Sequence, residues 1–287
     1  MNIRIIRKKI KSVTNVKKIT KAMQMVSAIK MKKAQQVAVD GRPYQDEIEK
    51  IIRAVSPKID SSLSPLITQP EDKIERKNLS IVLASNKGLC GSFNFNLLRF
   101  IVKNVDFKNT DFIIVGKKAN LLSKFSAHIM ADYSSNIPIN NVSALFEFSL
   151  KKYLDKTYKK VELYHNQFVS AIQSNPVVTT LLPINFTQKN ETENIVEQKA
   201  FDYLIEPNPK KIIDSLLRSF VEEKLRFAFI QSEAGEHSLR MMAMKNATDN
   251  ATDVIDNLTM ARNKIRQEKI TSELLDMVTA KESVESN

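Results

Sequence analysis

The chain has 287 residues, of which 43% are hydrophobic and 26% charged, enough apolar material for one or two cores at the charge content of a globular protein. No run of eighteen apolar residues occurs, and the first residues lack the apolar block and cleavage site of a secretory signal, so neither a transmembrane helix nor export is predicted. One cysteine, Cys90, excludes an internal disulfide, and His128, His165 and His237 offer no ligand spacing, so no metal or other cofactor is expected.

The formal charge of +12 is concentrated at one end. Met1 to Val39 carries eleven Lys or Arg and no acid. Such a block must face something acidic: nucleic acid, an anionic membrane surface or an acidic protein partner. A mitochondrial targeting peptide is also basic and acid-poor, but this stretch is not Ser-rich and continues smoothly into further helical pattern.

Proline and glycine divide the chain into three. Residues 1–42 hold no proline and only Gly41, and residues 210–287 hold no proline and only Gly235. This predicts an N-terminal helix over 1–57, a central α/β domain over 77–206 and a C-terminal helix over 210–285. Within the first helix, Ile3, Ile6, Ile10 and Val13, then Val16, Ile19, Met23 and Val26, each read steps of 3, 4, 3, and the extra step of 3 between them is a stammer.

In the middle, Leu79–Ser85 and Asp111–Val115 read as buried strands, Phe93–Val105, Ala119–Phe125 and Val142–Tyr158 as helices, and Val161–His165 as a further strand. That order is an α/β (Rossmann-like) layer domain with a parallel element. The turn Ser85-Asn-Lys-Gly-Leu-Cys-Gly-Ser92 invites a phosphate-binding reading, yet it is neither G-x-G-x-x-G nor G-x-x-x-x-G-K-[ST], and a tight strand-to-helix turn is favoured. Cys90 has no activating His or acid near it in sequence and reads as a buried thiol.

The C-terminal helix would reach on the order of 110 Å, several times the diameter of a small domain. Met244, Ala247, Ala251, Val254, Leu258, Ala261 and Ile265 step by 3, 4, 3, 4, 3, 4, a seam that predicts an antiparallel coiled coil with the N-terminal helix. Separate packing of each end on the central domain is the alternative, disfavoured by the length of the helices.

Three stretches resemble one family in its own order. Ile19-Thr-Lys-Ala-Met-Gln-Met-Val26, with Lys30-Met-Lys-Lys-Ala34 and Arg42-Pro-Tyr44, is similar to the opening helix of F-type ATP synthase γ subunits. Ser85-Asn-Lys-Gly-Leu-Cys-Gly91 resembles that family's S-D-R-G-L-C-G, with Asn86 and Lys87 in place of Asp and Arg. Arg240-Met-Met-Ala-Met-Lys-Asn-Ala-Thr-Asp-Asn250, with Ala261–Gln267 and Ile270–Leu274, resembles the closing helix, and Asp202-Tyr-Leu-Ile-Glu-Pro207 is a shorter match.

The resemblance implies a non-catalytic rotor shaft. Its coiled coil would stand inside an α3β3 hexamer, its central domain would meet the ε subunit and the c ring, and ring rotation would drive the β subunits through their nucleotide states. It also implies residue roles. Arg266, Gln267 and Thr271 fall where the family meets a catch loop of β. Met23 lies near an acidic lever of β with Glu236 and Arg240 coupled to it, Lys87 joins these coupling positions, and Tyr203 and Glu206 face the c ring. The expected location is the cytoplasmic face of a bacterial inner membrane, with membrane association indirect, and the initiating Met before a matching helix favours a bacterial origin. The rival readings are a basic coiled-coil protein that binds nucleic acid and a nucleotide-using enzyme. Residues 1–39 contain no aromatic residue for base stacking, so no nucleic acid is expected, and the incomplete phosphate motif opposes the enzyme.

Overall fold

The computed structural model describes residues 3–55, 64–67, 76–135, 137–170, 172–184 and 209–285. It divides into two compact units, one formed by Met1–Ser27 with Arg240–Asn287 and the other by Ala28–Leu239.

The first unit is a helix pair. Helix α1 is Ile3–Val55 and the last helix, α4, is Pro209–Glu285, and each contributes one end to this unit. The shielded positions of α1 here run through Ile3, Ile6, Ile10, Val13, Lys17, Thr20, Gln24 and Ser27, with Thr14 and the expected Met23 half-buried on their flank. That is an unbroken alternation of 3 and 4, and it contains no stammer. The expected seam residues Val16, Ile19 and Val26 are instead 49%, 60% and 54% exposed. The heptad period continues through polar side chains that fit a close helix contact, and the apolar residues one position away face outward.

On α4 the shielded line runs Met244, Thr248, Ala251, Ile255, Leu258, Arg262 and Ile265. Val254, expected in the seam, is 44% exposed. The hydroxyls of Thr20 and Thr248 meet at 2.8 Å in the buried seam, and Thr248 Oγ1 also donates to the Met244 carbonyl at 2.8 Å. In an antiparallel register set by that pair, Ile3 falls opposite Ile265. Every residue from Arg266 to Lys281 is exposed.

The second unit is a three-layer α/β domain. A five-stranded sheet has the order β3-β2-β1-β4-β5, with β1 Lys77–Leu83, β2 Thr110–Val115, β3 His128–Asp132, β4 Tyr158–Ser170 and β5 Gln173–Leu182. The β1–β2, β1–β4 and β2–β3 pairs are parallel, and β4–β5 is an antiparallel hairpin. Alternation along the strands decides the two cores. Val82, Phe112 and Ile114 pack on helix α2 (Phe93–Asn104) through Leu97 and Ile101, and on a 3₁₀ segment, Lys117–Phe125. Leu79, Ile81, Leu83 and Ile113 point the other way, into a core shared with helix α3 (Val142–Leu154) and with Ile48, Ile52, Leu217 and Phe220 of the long helices.

Asp111 ties four strands together at one carboxylate. Lys77 of β1 donates at 3.0 Å, His128 of β3 lies at 3.1 Å and the Tyr158 hydroxyl of β4 donates at 2.9 Å. Burial raises the Asp111 pKa, but the hydrogen bonds from Lys77, Tyr158 and His128 outweigh it and hold the carboxyl below its ordinary value.

Several expected boundaries move. The helix expected over Ala119–Phe125 is 3₁₀, α3 stops at Leu154 before a left-handed Lys156, and the last expected strand lengthens to Tyr158–Ser170. Strands β3 and β5 were not anticipated. β3 is a short edge strand, and β5 carries Pro176, which only an edge strand tolerates.

Candidate coupling surface

Seven of the residues singled out in the sequence, Met23, Lys87, Glu236, Arg240, Arg266, Gln267 and Thr271, lie among the described residues. Met23 is half-buried on the flank of the α1 seam, beside Gln24. Arg240 is buried and Glu236 half-buried, one turn apart on α4. Arg266, Gln267 and Thr271 lie together within two turns of α4, all exposed, with the Thr271 hydroxyl donating to the Gln267 carbonyl at 3.0 Å. Tyr203 and Glu206 lie outside the described residues.

Lys87 is exposed on the turn after β1. That turn is knitted to itself. Ser85 N–H donates to Asn94 Oδ1 at 3.0 Å, Ser85 Oγ donates to the Lys87 carbonyl at 2.8 Å, and Asn94 Nδ2 donates to Ser85 Oγ at 2.7 Å and Cys90 Sγ at 3.1 Å. Phe93 N–H, at the start of α2, donates to the Cys90 carbonyl at 3.3 Å. Two backbone donors at the ends of the turn, Ser85 N–H and Phe93 N–H, are thus turned onto the chain itself. Cys90 is buried, as expected of a structural thiol.

Asn86 explains one departure from the family motif. Its Nδ2 donates to the Ser135 carbonyl at 2.6 Å while its Oδ1 accepts the Lys117 N–H at 3.2 Å. An Asp could accept there, but an ionised carboxylate could not donate to Ser135.

The crevice at the carboxyl ends of β1 and β4, where strand order reverses, is where open α/β sheets bind ligands. Here the chain fills it. Asn166 Nδ2 donates to the Phe93 carbonyl at 3.2 Å. A Cβ on Gly235 of α4 would lie 2.6 Å from Ser174 Oγ and 3.6 Å from the Phe93 ring. The glycine lets α4 press onto the place a nucleotide would take.

Two outward apolar surfaces escaped the sequence reading. One consists of Ile5, Val16, Ile19 and Val26 on α1, the other of Ile270, Leu274, Leu275, Met277 and Val278 on α4, all exposed. Carrying the strict heptad through Thr20, Gln24 and Ser27 would have revealed the first, because it leaves the neighbouring apolar residues without a place in the seam. The basic charge is also partly used internally. Glu233 is held below its ordinary value chiefly by a hydrogen bond with His237, against burial, with help from Lys30 and Lys33.

A two-helix coil whose chain ends enclose an α/β domain in sequence, with no open nucleotide cradle among the described residues, belongs to the class of coiled-coil stalk proteins. The comparisons make this specific. The ATP synthase family profile matches residues 2–284. The ATP synthase gamma chain of Buchnera aphidicola is 37% identical over 99% of this chain and 98% of its own, and that of Methylacidiphilum infernorum is 34% identical over 96% and 97%. Among solved structures, a chain of the Euglena gracilis mitochondrial ATP synthase in an assembly of OSCP, F1 and c-ring superposes with a TM-score of 0.64 at 19% identity, covering 98% of this chain and 94% of that one. A chain of the Tetrahymena thermophila central stalk and c-ring gives 0.57 at 21% identity, with 80% and 99% covered. The chain belongs to the ATP synthase gamma chain family.

Proposed function

We propose that this chain is the central rotor shaft of an F-type ATP synthase, a non-catalytic subunit that couples ion-driven rotation of a c ring to conformational change in catalytic β subunits. The observation that carries the reading is a match along almost the whole chain joined to a helix pair whose outward faces are apolar and uncovered. Apolar patches of this kind mark contact surfaces. On this reading the pair, with its N-terminal helix over 1–57 and C-terminal helix over 210–285, turns inside an α3β3 hexamer. The domain over 77–206 meets the ε subunit and, through Tyr203 and Glu206, the c ring. The assembly would sit peripherally on the cytoplasmic face of a bacterial inner membrane.

Torque transmission is an allosteric coupling, since a rotor angle can favour one β conformation only through contacts that differ between states. Arg266, Gln267 and Thr271 suit such a role because they are exposed polar side chains able to make and release hydrogen bonds. Met23, Lys87, Glu236 and Arg240 are the remaining proposed coupling positions. No nucleic acid enters this scheme, and the outward α1 face offers aliphatic side chains in place of stacking aromatics.

Affinity purification of the tagged full chain from detergent-solubilised membranes tests the proposal. Subunits α, β and ε should co-purify in fixed ratio with an ATPase activity that the isolated chain lacks. Recovery of DNA or RNA alone, or ATP hydrolysis by the isolated chain, would overturn it.

A further inference from the structure

One outer layer of the α/β unit carries a charge pattern of its own. From Ser85 to Met130 the sequence holds seven Lys or Arg and two acids, Asp106 and Asp111. Asp111 is buried and already bonded to Lys77, His128 and Tyr158. The seven cations are exposed. They sit on α2 and the 3₁₀ segment Lys117–Phe125, which cover the same side of the sheet, or on the turns beside them. Burial of Leu97, Leu98 and Ile101 turns Phe95, Arg99, Val102 and Lys103 outward on α2. In a 3₁₀ helix residues three apart eclipse, so burial of Ala119 and Leu122 leaves Lys118, Leu121 and Lys124 as one exposed row. Phe125, next in the chain, is 48% exposed, and its ring is backed at 6.3 Å by Phe107, which stacks at 5.4 Å on the buried Phe112. Cations and large apolar side chains therefore alternate across one face.

We propose that this face docks on an anionic lipid surface, its lysines at the headgroups and Phe95, Leu121 and Phe125 entering the boundary with the acyl chains. Interfacial binding draws on buried apolar area and on attraction to anionic lipid together, and this face supplies both. Lysine stems lie along apolar surface and leave their ammoniums at headgroup level. An acidic protein would also suit the charge, but six of the seven cations are lysines, compact charges that answer a diffuse negative field. The one guanidinium, that of Arg99, lies over the Phe95 ring at 4.5 Å, which makes it part of the aromatic surface.

The proposal does not rest on the rotor reading, and a chain without tryptophan allows a direct test. Phe125→Trp in the full chain puts a single fluorophore at the proposed contact. Tyr44→Trp is the control, exposed on α1, whose Ile48 and Ile52 pack on the other side of the sheet. With phosphatidylglycerol vesicles at low salt, the emission of Phe125→Trp should move to shorter wavelength and be quenched by lipid brominated along its acyl chains. Phosphatidylcholine vesicles should do neither, and Tyr44→Trp should be quenched by neither lipid. Lys117→Gln, Lys118→Gln and Lys124→Gln added together to Phe125→Trp should weaken binding about a hundredfold, with thermal melting confirming the fold. Lys8→Gln, Lys9→Gln and Lys11→Gln on α1 should leave the quenching at saturating lipid in place. Vesicle binding with Phe125→Trp unquenched assigns the attraction to the basic end of α1 and overturns the proposal. Equal quenching by both lipids overturns the role of charge. A wavelength shift with polyglutamate and none with vesicles assigns the face to an acidic protein and overturns the lipid surface.

Discussion

In the α/β unit Leu79, Ile81, Ile113 and Leu163 are fully removed from solvent, whereas the most buried seam residues of the helix pair are Ile6, Thr20, Ser27, Met244, Thr248 and Ala251. Half of these are hydroxyl residues, and a fourth is alanine. The sheet domain thus contains its own driving force, since burying a Leu or Ile stabilises by about 1.5–3 kcal/mol. The helix pair sets small and hydroxyl side chains among the aliphatic ones of its seam, and leaves other large aliphatic ones, Val16, Ile19 and Val26 among them, exposed. Two regions of one chain solve different problems. The domain is built around its own core, while the pair keeps part of its apolar material at its surface.

The comparison breaks first in the domain. Gly116 follows β2 at φ 95°, and a Cβ there would lie 2.0 Å from the Ala84 carbonyl oxygen. Backbone cannot yield as a side-chain tip can. Gly116→Val should cost about 3 kcal/mol or more, strain and collision together, and remove the cooperative denaturant transition of the sheet. Retention of the parent midpoint would show that the β2 turn has slack the contact distance denies.

Acid is the second way to separate the two regions. His165 has its ordinary value of 6.5 lowered to about 4 by burial, partly offset by a backbone hydrogen bond to Leu163. The unfolded chain therefore takes up a proton before the folded one does. Its contribution is fully present above about pH 6.5 and is lost as pH falls towards 4, amounting to about 3 kcal/mol at 1.36 kcal/mol for each unit. Urea titrations between these pH values should show the loss in the unaltered chain and a flatter profile in His165→Phe. Equal slopes would assign the acid sensitivity to the carboxylates.

How far the sequence foretold this contrast depends on which signal each element carries. Helix–strand order in the domain was legible because β1 and β2 are short apolar runs bounded by glycine turns. β3 and β5 were not, since edge strands are half-exposed and Pro176 argues against strand when position in the sheet is unknown. In the helix pair the period was legible but its phase was not. Counting apolar residues led through Val16, Ile19 and Val26, while the structure runs through Lys17, Thr20, Gln24 and Ser27. Hydrophobicity marks a seam only where nothing outside the chain also wants apolar contact. The candidate surface suffers from the same ambiguity, because residues such as Arg266 and Thr271 carry no local signal beyond being exposed polar side chains and were found through family resemblance.

A smaller effect tests whether the polar seam is structural. Thr20→Val removes one partner of the Thr20–Thr248 pair, but Thr248 Oγ1 keeps its bond to the Met244 carbonyl. The expected cost is about 0.5–1.5 kcal/mol, and the double variant Thr20→Val with Thr248→Val should recover most of it, since an isosteric apolar pair leaves nothing unsatisfied. A double-mutant cycle by thermal melting measures the coupling. Additive losses would mean that the hydroxyls act separately.

The smallest stability effect should come from Met23→Lys, and for that reason it discriminates most sharply between packing and coupling. Met23 lies half-buried at the seam's flank, with Thr20, Gln24 and Ser27 forming the seam itself. A lysine stem can follow the same apolar path and leave its ammonium in water, so the melting point of the isolated chain should change by no more than about 0.5 kcal/mol allows. In the assembled synthase the outcome differs if Met23 approaches an acidic element of β in one rotor state only. A new ion pair there would deepen that state, and about 1.4 kcal/mol would slow escape from it tenfold if the transition state does not share the contact. ATP hydrolysis and proton transport measured side by side in membrane vesicles should then diverge, with less transport for each ATP hydrolysed. An unchanged transport-to-hydrolysis ratio with unchanged melting rules out a coupling role for Met23, whereas parallel loss of melting, hydrolysis and transport returns it to seam packing.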